Sequence, residues 1–261
     1  MVDPGRLINI LMGATAVLPA VLVARLVFSG LARVYPWFAA YMLATAAETG
    51  LLLAVENRPI LVYTSIWTVF GLVNILLEAK VVLTIFGQWT KSFPGIGAFG
   101  RKLLVMLMLI AAGVAASTIP VGWPNGVWME VVKLATISIR AVNIGFSLFL
   151  LLTLIFFWKF GGPVAPNLRR HSWAMAAYVT ATSVSYFVAT GKAVWLGNIL
   201  LPAVTLTALI FWVVALQASG EVQPDTTGEE AQWEEAEEMN RQMQKLADAI
   251  TLSPGGVKKD K

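Results

Sequence analysis

The feature that most constrains the fold is a set of apolar segments, each long enough to cross a lipid bilayer. A membrane-spanning helix needs about 20 apolar residues, whereas a strand of a membrane barrel needs about ten with alternating polarity. Seven segments meet the helical length, roughly over residues 7–28, 37–55, 60–88, 103–119, 127–160, 173–190 and 193–216. The sequence therefore predicts an all-α fold, a polytopic membrane protein with a seven-transmembrane-helix bundle at residues 1–217.

Composition supports this class. The chain is 57% hydrophobic and 13% charged, and its mean hydropathy is +0.72. A soluble domain of 261 residues needs far more charge on its surface. The first apolar segment is longer than the core of a signal peptide, so we predict that it is retained as a span.

Loop charge predicts the orientation, because cytoplasmic loops of membrane proteins are enriched in Lys and Arg. Basic residues follow the first, third and fifth segments, whereas the opposite loops hold only Arg58, beside Glu56, and Lys192. We therefore expect an outward N-terminus and a cytoplasmic C-terminus in a multi-pass protein of the plasma membrane. The outer loops are short, so a ligand would be small and lie within the bundle, arrive from the lipid bilayer, or be carried by a partner protein.

Polar side chains inside the apolar segments form the candidate site, because such residues are costly in lipid and mark ion paths or ligand pockets. Glu78 shares a helical stripe with Asn74, Trp67 and Tyr63, and we expect this stripe to face the bundle interior. The candidate intramembrane polar network comes from the second, third and fifth segments: Glu48, Asn74, Glu78, Lys133, Arg140 and Asn143.

The depth of each residue along its helix predicts pairs within this network. At 1.5 Å per residue, Arg140 lies level with Asn74 and about one turn above Glu78. Lys133 lies level with Glu48. We therefore expect Arg140 to pair with Glu78 and Asn74, and Lys133 to pair with Glu48, since an unpaired arginine at mid-membrane costs about 3 kcal/mol. The network could form an ion path or a ligand pocket, or it could act as a clamp that fixes the packing of the helices. The sequence leaves both interpretations open.

Sequence motifs give no evidence of catalysis. The chain lacks GxSxG, HExxH, P-loop and dinucleotide-binding patterns, so nothing indicates an enzyme. With no cysteine and a single histidine, we expect no metal site and no cofactor. We place that histidine, His171, in a polar loop beside Arg169 and Arg170. Nothing in the sequence points to a nucleic acid partner.

The C-terminal region differs from the bundle in charge. The net charge is +9 over residues 1–217 and −5 over residues 218–261, which together give +4. We predict a flexible linker at 218–227, an acidic amphipathic helix at 228–251 and a disordered end at 252–261. One apolar stripe of that helix is a candidate surface for a cytoplasmic protein partner, the protein's own basic loops or a second copy: Trp233, Met239, Met243, Leu246 and Ile250. A marginal, solvated helix is the plainer alternative.

These features favour a sensing or coupling protein, in which the intramembrane network responds to a ligand and the tail helix binds a partner. A small transporter or channel-like protein using the same network is the first alternative. A membrane scaffold subunit, with the charges as packing clamps, is the second. The sequence does not identify the ligand.

Overall fold

The structure is a computed structural model that describes residues 4–91, 94–117, 126–160, 164–189, 194–221 and 237–245 without 239. Every regular element in these ranges is helical. The long helices are α1 (Pro4–Phe28), α2 (Pro36–Ala54), α3 (Ile60–Trp89), α4 (Pro94–Ser117), α5 (Val127–Phe160), α6 (Pro166–Ala189) and α7 (Val194–Ala215). The predicted all-α fold class is confirmed.

Within the described residues, the five helices α1 to α5 contain segments long and apolar enough to cross a membrane. Their outward faces carry large exposed apolar side chains, such as Leu76 on α3 and Leu109 on α4. A helix whose outer face is apolar is expected in lipid and not in water. These helices therefore indicate a multi-pass membrane protein. Seven spans and the orientation of the termini remain predictions.

Six of the helices close into a ring. Neighbours around it are α1 and α2, α2 and α3, α3 and α5, α5 and α6, α6 and α7, and finally α7 and α1. Helix α4 packs against α5 on the outside of this ring. The ring therefore excludes α4 from its interior, although α4 is fourth in chain order.

Three helices begin at a proline: α2 at Pro36, α4 at Pro94 and α6 at Pro166. Helix α2 begins within one residue of its predicted start, and the other two begin earlier than predicted. Proline suits the first helical position, since the backbone N–H it lacks has no acceptor there. The predicted starts of the fourth and sixth spans, 103 and 173, were too late, because hydropathy marks only the apolar part of a helix. We call the end of the bundle at which α2, α4 and α6 begin and α7 finishes the tail end.

Candidate functional site

A cavity of about 470 Å³ lies inside the ring of six helices. All six ring helices contribute to its wall, and α4 contributes none of the described lining residues. It runs from the end opposite the tail end to the middle of the bundle, between Leu52 and Tyr41 on α2 and between Tyr63 and Glu78 on α3. The volume of the cavity falls within the range typical of small-molecule sites, about 300 to 1,000 Å³.

Four residues of the predicted polar network line this cavity: Glu48, Asn74, Glu78 and Asn143. The α3 stripe also lies along it, since Tyr63 and Trp67 are lining residues as well. Lys133 and Arg140 are not among the described lining residues. The structure thus brings the acidic and amide members of the network together, on α2, α3 and α5, and places the two basic members outside the lining.

The predicted pairing of Lys133 with Glu48 is wrong. Asn74 Nδ2 of α3 donates a hydrogen bond of 2.5 Å to Glu48 Oε2 of α2. Lys133 Nζ instead lies 3.6 Å from Glu130 Oε2, one turn earlier on α5, and both side chains are partly exposed. Residues three apart on a helix are neighbours, and this local contact decided the partner of Lys133.

The predicted ion pair between Arg140 and Glu78 is also wrong. Glu78 is 4% exposed, and its Oε1 is a buried atom that has no hydrogen-bond partner in the described part of the chain. Arg140 is buried on α5, and no ion pair joins it to Glu78 among the described residues. Tyr186 of α6 lines the cavity.

Aromatic side chains form much of the cavity wall, and most of them were not part of the predicted network. The lining includes Tyr41, Tyr63, Trp67, Tyr178 and Tyr186. The hydroxyl groups of Tyr41 and Tyr178 are 3.2 Å apart and share a hydrogen bond between α2 and α6. A helical stripe of polar and aromatic residues on α2, at positions 41, 45, 48 and 49, was the sequence signal that could have found Tyr41.

Beyond the two tyrosines, toward the tail end, aromatic rings pack against one another in a cluster that begins at Tyr178. The ring of Tyr178 lies 5.8 Å from that of Trp212 on α7, and Trp212 lies 4.9 Å from Phe38 on α2. His171 packs 4.5 Å from Phe38 and 5.2 Å from Tyr35. The placement of His171 in a polar loop was wrong: it is 1% exposed, on α6, because the helix starts seven residues before the predicted span.

Side chains from α1 and α6 bind the last carbonyl groups of α7, an arrangement that we call the α7 cap. Arg170 Nη1 donates to Ala215 O at 3.0 Å, and Arg25 Nη2 donates to Leu216 O at 2.9 Å. Asn167 Nδ2 donates to Gln217 O at 2.5 Å. The final carbonyls of a helix lack partners within the helix and carry partial negative charge, so guanidinium and amide donors stabilise them.

The α7 cap continues into the 3₁₀ helix Ala218–Glu221, where the tail begins. Asn167 Nδ2 also donates to Glu221 Oε1 at 2.7 Å, and the Tyr35 hydroxyl donates to Glu221 Oε2 at 3.4 Å. Residues 218–221 were predicted as the start of a flexible linker, and here they are bound to the bundle. The rest of that linker lies outside the described residues.

No family model, curated protein or solved structure matches this chain. Its helices indicate a multi-pass membrane protein, as described above. Three features bear on a more specific role: the cavity, the aromatic cluster between the cavity and the tail end, and the α7 cap.

Part of the predicted tail helix lies against the tail end of the bundle. Residues 240–245 are helical, Met243 packs against the hydrophobic core, and Asn240 Oδ1 accepts a hydrogen bond from the Ile96 N–H of α4 at 3.4 Å. The other residues of the predicted tail surface lie outside the described residues: Trp233, Met239, Leu246 and Ile250. Docking on the protein's own basic loops was one of the uses predicted for this helix, and it remains a prediction.

Proposed function

We propose that this protein is a seven-span sensing or coupling protein of the cytoplasmic membrane, with its C-terminus in the cytoplasm. A small ligand binds in the cavity, and occupancy changes how the C-terminal tail is held at the tail end. The observation that carries the proposal is the cavity, which six helices surround and which α2, α3 and α5 line with Glu48, Asn74, Glu78 and Asn143. A clamp needs only direct contacts between these groups, whereas a cavity leaves room for a ligand between the helices.

A continuous set of contacts supports coupling between the cavity and the tail. Tyr178 lines the cavity and contacts Trp212, which lies near the end of α7. Four residues later, the carbonyl of Leu216 is bound by Arg25 in the α7 cap. Coupling requires that ligand binding in the cavity and release of the tail shift the same conformational equilibrium. Contact between the two regions does not establish such coupling, so a variant must test it.

The test uses the full chain in lipid nanodiscs and hydrogen–deuterium exchange of residues 216–221 and 240–245. Thr45→Trp places a large side chain in the cavity and imitates an occupant, because Thr45 lines the wall. Leu76→Trp is the matched control, since Leu76 is exposed on the outer face of α3. We expect Thr45→Trp to change exchange in both tail segments and Leu76→Trp to leave it unchanged. Adding Trp212→Leu to Thr45→Trp should abolish the change.

The alternatives give different results. A transporter would show flux in liposomes that Glu78→Gln abolishes. A scaffold would show no flux and no response to Thr45→Trp, and Glu78→Gln would impair its assembly. Equal exchange in Thr45→Trp and Leu76→Trp proteins, with both proteins folded, would overturn the coupling proposal.

A further inference from the structure

The cavity wall has the chemistry of a site for an organic cation. Five of its lining side chains are aromatic: Tyr41, Tyr63, Trp67, Tyr178 and Tyr186. The face of an aromatic ring carries negative potential and attracts ammonium groups, more strongly where water is excluded. Among the described lining residues there is no lysine, arginine or histidine that would repel a cation from within the wall.

Glu78 provides the specific contact. Glu78 lines the cavity and is 4% exposed, and its Oε1 is buried with no hydrogen-bond donor among the described residues. Glu48, by contrast, accepts a hydrogen bond from Asn74. A buried carboxylate without a donor is costly, and a charged donor satisfies both its charge and its lone pair. Glu78 Oε1 is therefore the place in the wall where an incoming N–H group gains most.

The net charge of the side chains in and beside the cavity also favours a cationic ligand. Among the described residues, two acidic side chains line the cavity, Glu48 and Glu78, and one basic side chain, Arg140, is buried beside the lining residue Ile139. Lys133 forms its own ion pair with Glu130 and does not alter this balance. One further positive charge, from a ligand or from a proton on a carboxyl group, makes the set neutral.

We propose that the cavity binds a small protonated amine, whose ammonium N–H donates to Glu78 Oε1 and whose body packs against the aromatic wall. This inference rests on the proposed function and names its ligand class. A primary or secondary amine fits better than a quaternary one, because only an ammonium with N–H groups supplies the missing donor. The volume of about 470 Å³ accommodates such a molecule together with its apolar substituent.

The experiment compares three probes of similar shape and different charge: 2-phenylethylamine, 2-phenylethanol and 3-phenylpropionate. The full chain in lipid nanodiscs is heated with increasing probe concentration, because a ligand that binds the folded state raises its midpoint of unfolding. We expect a saturable rise with the amine, and little or none with the alcohol or the carboxylate. Glu78→Gln should weaken apparent amine binding about tenfold or more, as loss of a charge-assisted hydrogen bond predicts.

Glu130→Gln is the matched control, because Glu130 is half exposed on α5 and is absent from the described cavity lining. It should leave amine binding unchanged. Should Glu78→Gln fail to fold, Trp67→Leu removes part of the aromatic wall and should weaken binding of the amine more than that of the alcohol.

Each outcome has a clear meaning. Equal stabilisation by all three probes would overturn the amine proposal and leave a ligand-binding cavity in place. If no probe stabilises the protein, the amine proposal fails, whereas the coupling proposal fails only if Thr45→Trp leaves exchange in the tail segments unchanged. A Glu78→Gln protein that is more stable than wild type, in an experiment where the amine has no effect, would show that a proton alone completes the charge balance and would also overturn the amine proposal.

Discussion

The side-chain amide of Asn167 hydrogen-bonds both backbone groups of Gln217, donating from Nδ2 to the carbonyl and accepting at Oδ1 from the N–H at 3.1 Å. This pairing joins the start of α6 to the residue at which the chain leaves α7. The same Nδ2 reaches Glu221. One buried side chain therefore holds the first turn of the tail against the bundle.

Replacement of Asn167 tests this role. We expect Asn167→Ala to lower the free energy of unfolding by about 2 to 4 kcal/mol, because several buried groups lose a partner together. Asn167→Asp should cost at least as much, since it removes both donors and places a carboxylate beside Glu221. Denaturant titration in mixed micelles measures the stability, and amide exchange at residues 217–221 measures the local effect. Wild-type exchange in the aspartate variant would contradict this role.

The bond between Asn74 and Glu48 predicts a second pair of variants. Asn74→Ala leaves Glu48 without that donor at the cavity wall. We expect it to lower the free energy of unfolding by about 1.5 to 3 kcal/mol. Asn143→Ala is the control, because the Asn143 amide donates to Ile139 O of its own helix at 2.8 Å, its one hydrogen bond to another described residue. It should cost about 1 kcal/mol or less. Equal losses in the two variants would show that the contact between α2 and α3 adds no stability.

Two glycines on α4 predict opposite responses to alanine. A Cβ added at Gly100 would lie 2.2 Å from the ring of Phe86, which is itself packed 4.9 Å from Phe149. A Cβ at Gly113 would meet nothing within 4 Å. We expect Gly100→Ala to destabilise by about 1 to 3 kcal/mol through overpacking, and Gly113→Ala to be neutral or stabilising by about 0.5 to 1 kcal/mol. Thermal unfolding of the two single variants measures the difference.

Tyr35 predicts a loss of stability in alkali. Burial, with a further contribution from the Glu221 carboxylate, raises the pKa of Tyr35 in the folded protein. An unfolded tyrosine loses its proton near pH 10, while the folded one keeps it, so the free energy of unfolding falls above about pH 10 by up to 1.4 kcal/mol per pH unit. Below that pH both states are protonated and this contribution does not change.

Tyr35→Phe removes this titration. Its free energy of unfolding should depend less steeply on pH than that of the wild type between pH 10 and 11. At pH 8 the variant should differ only by the lost hydrogen bond to Glu221, about 1 kcal/mol. Parallel pH profiles for the two proteins would show that Tyr35 titrates normally in the folded state.

Local pattern determined much of the fold. Runs of about 20 apolar residues require helices in a membrane, because the backbone must satisfy its own hydrogen bonds there. The 3.6-residue period determined that Tyr63, Trp67, Asn74 and Glu78 share one face, and all four line the cavity. The spacing of three residues also predicts the pair between Glu130 and Lys133. Matching the depths of residues on different helices instead predicted Glu48 as the partner of Lys133, which was wrong.

Tertiary structure alone decided which helices are neighbours and how each is rotated. Hydropathy gives the position of a helix along the membrane normal. It determines neither the neighbours of that helix nor its rotation about its own axis. For that reason the sequence did not determine that α4 lies outside the ring, that Asn74 hydrogen-bonds Glu48, or that Glu78 lines a cavity. The burial of His171 and the role of Asn167 follow from the same cause, since both depend on residues of α2 and α7 that lie far away in the chain.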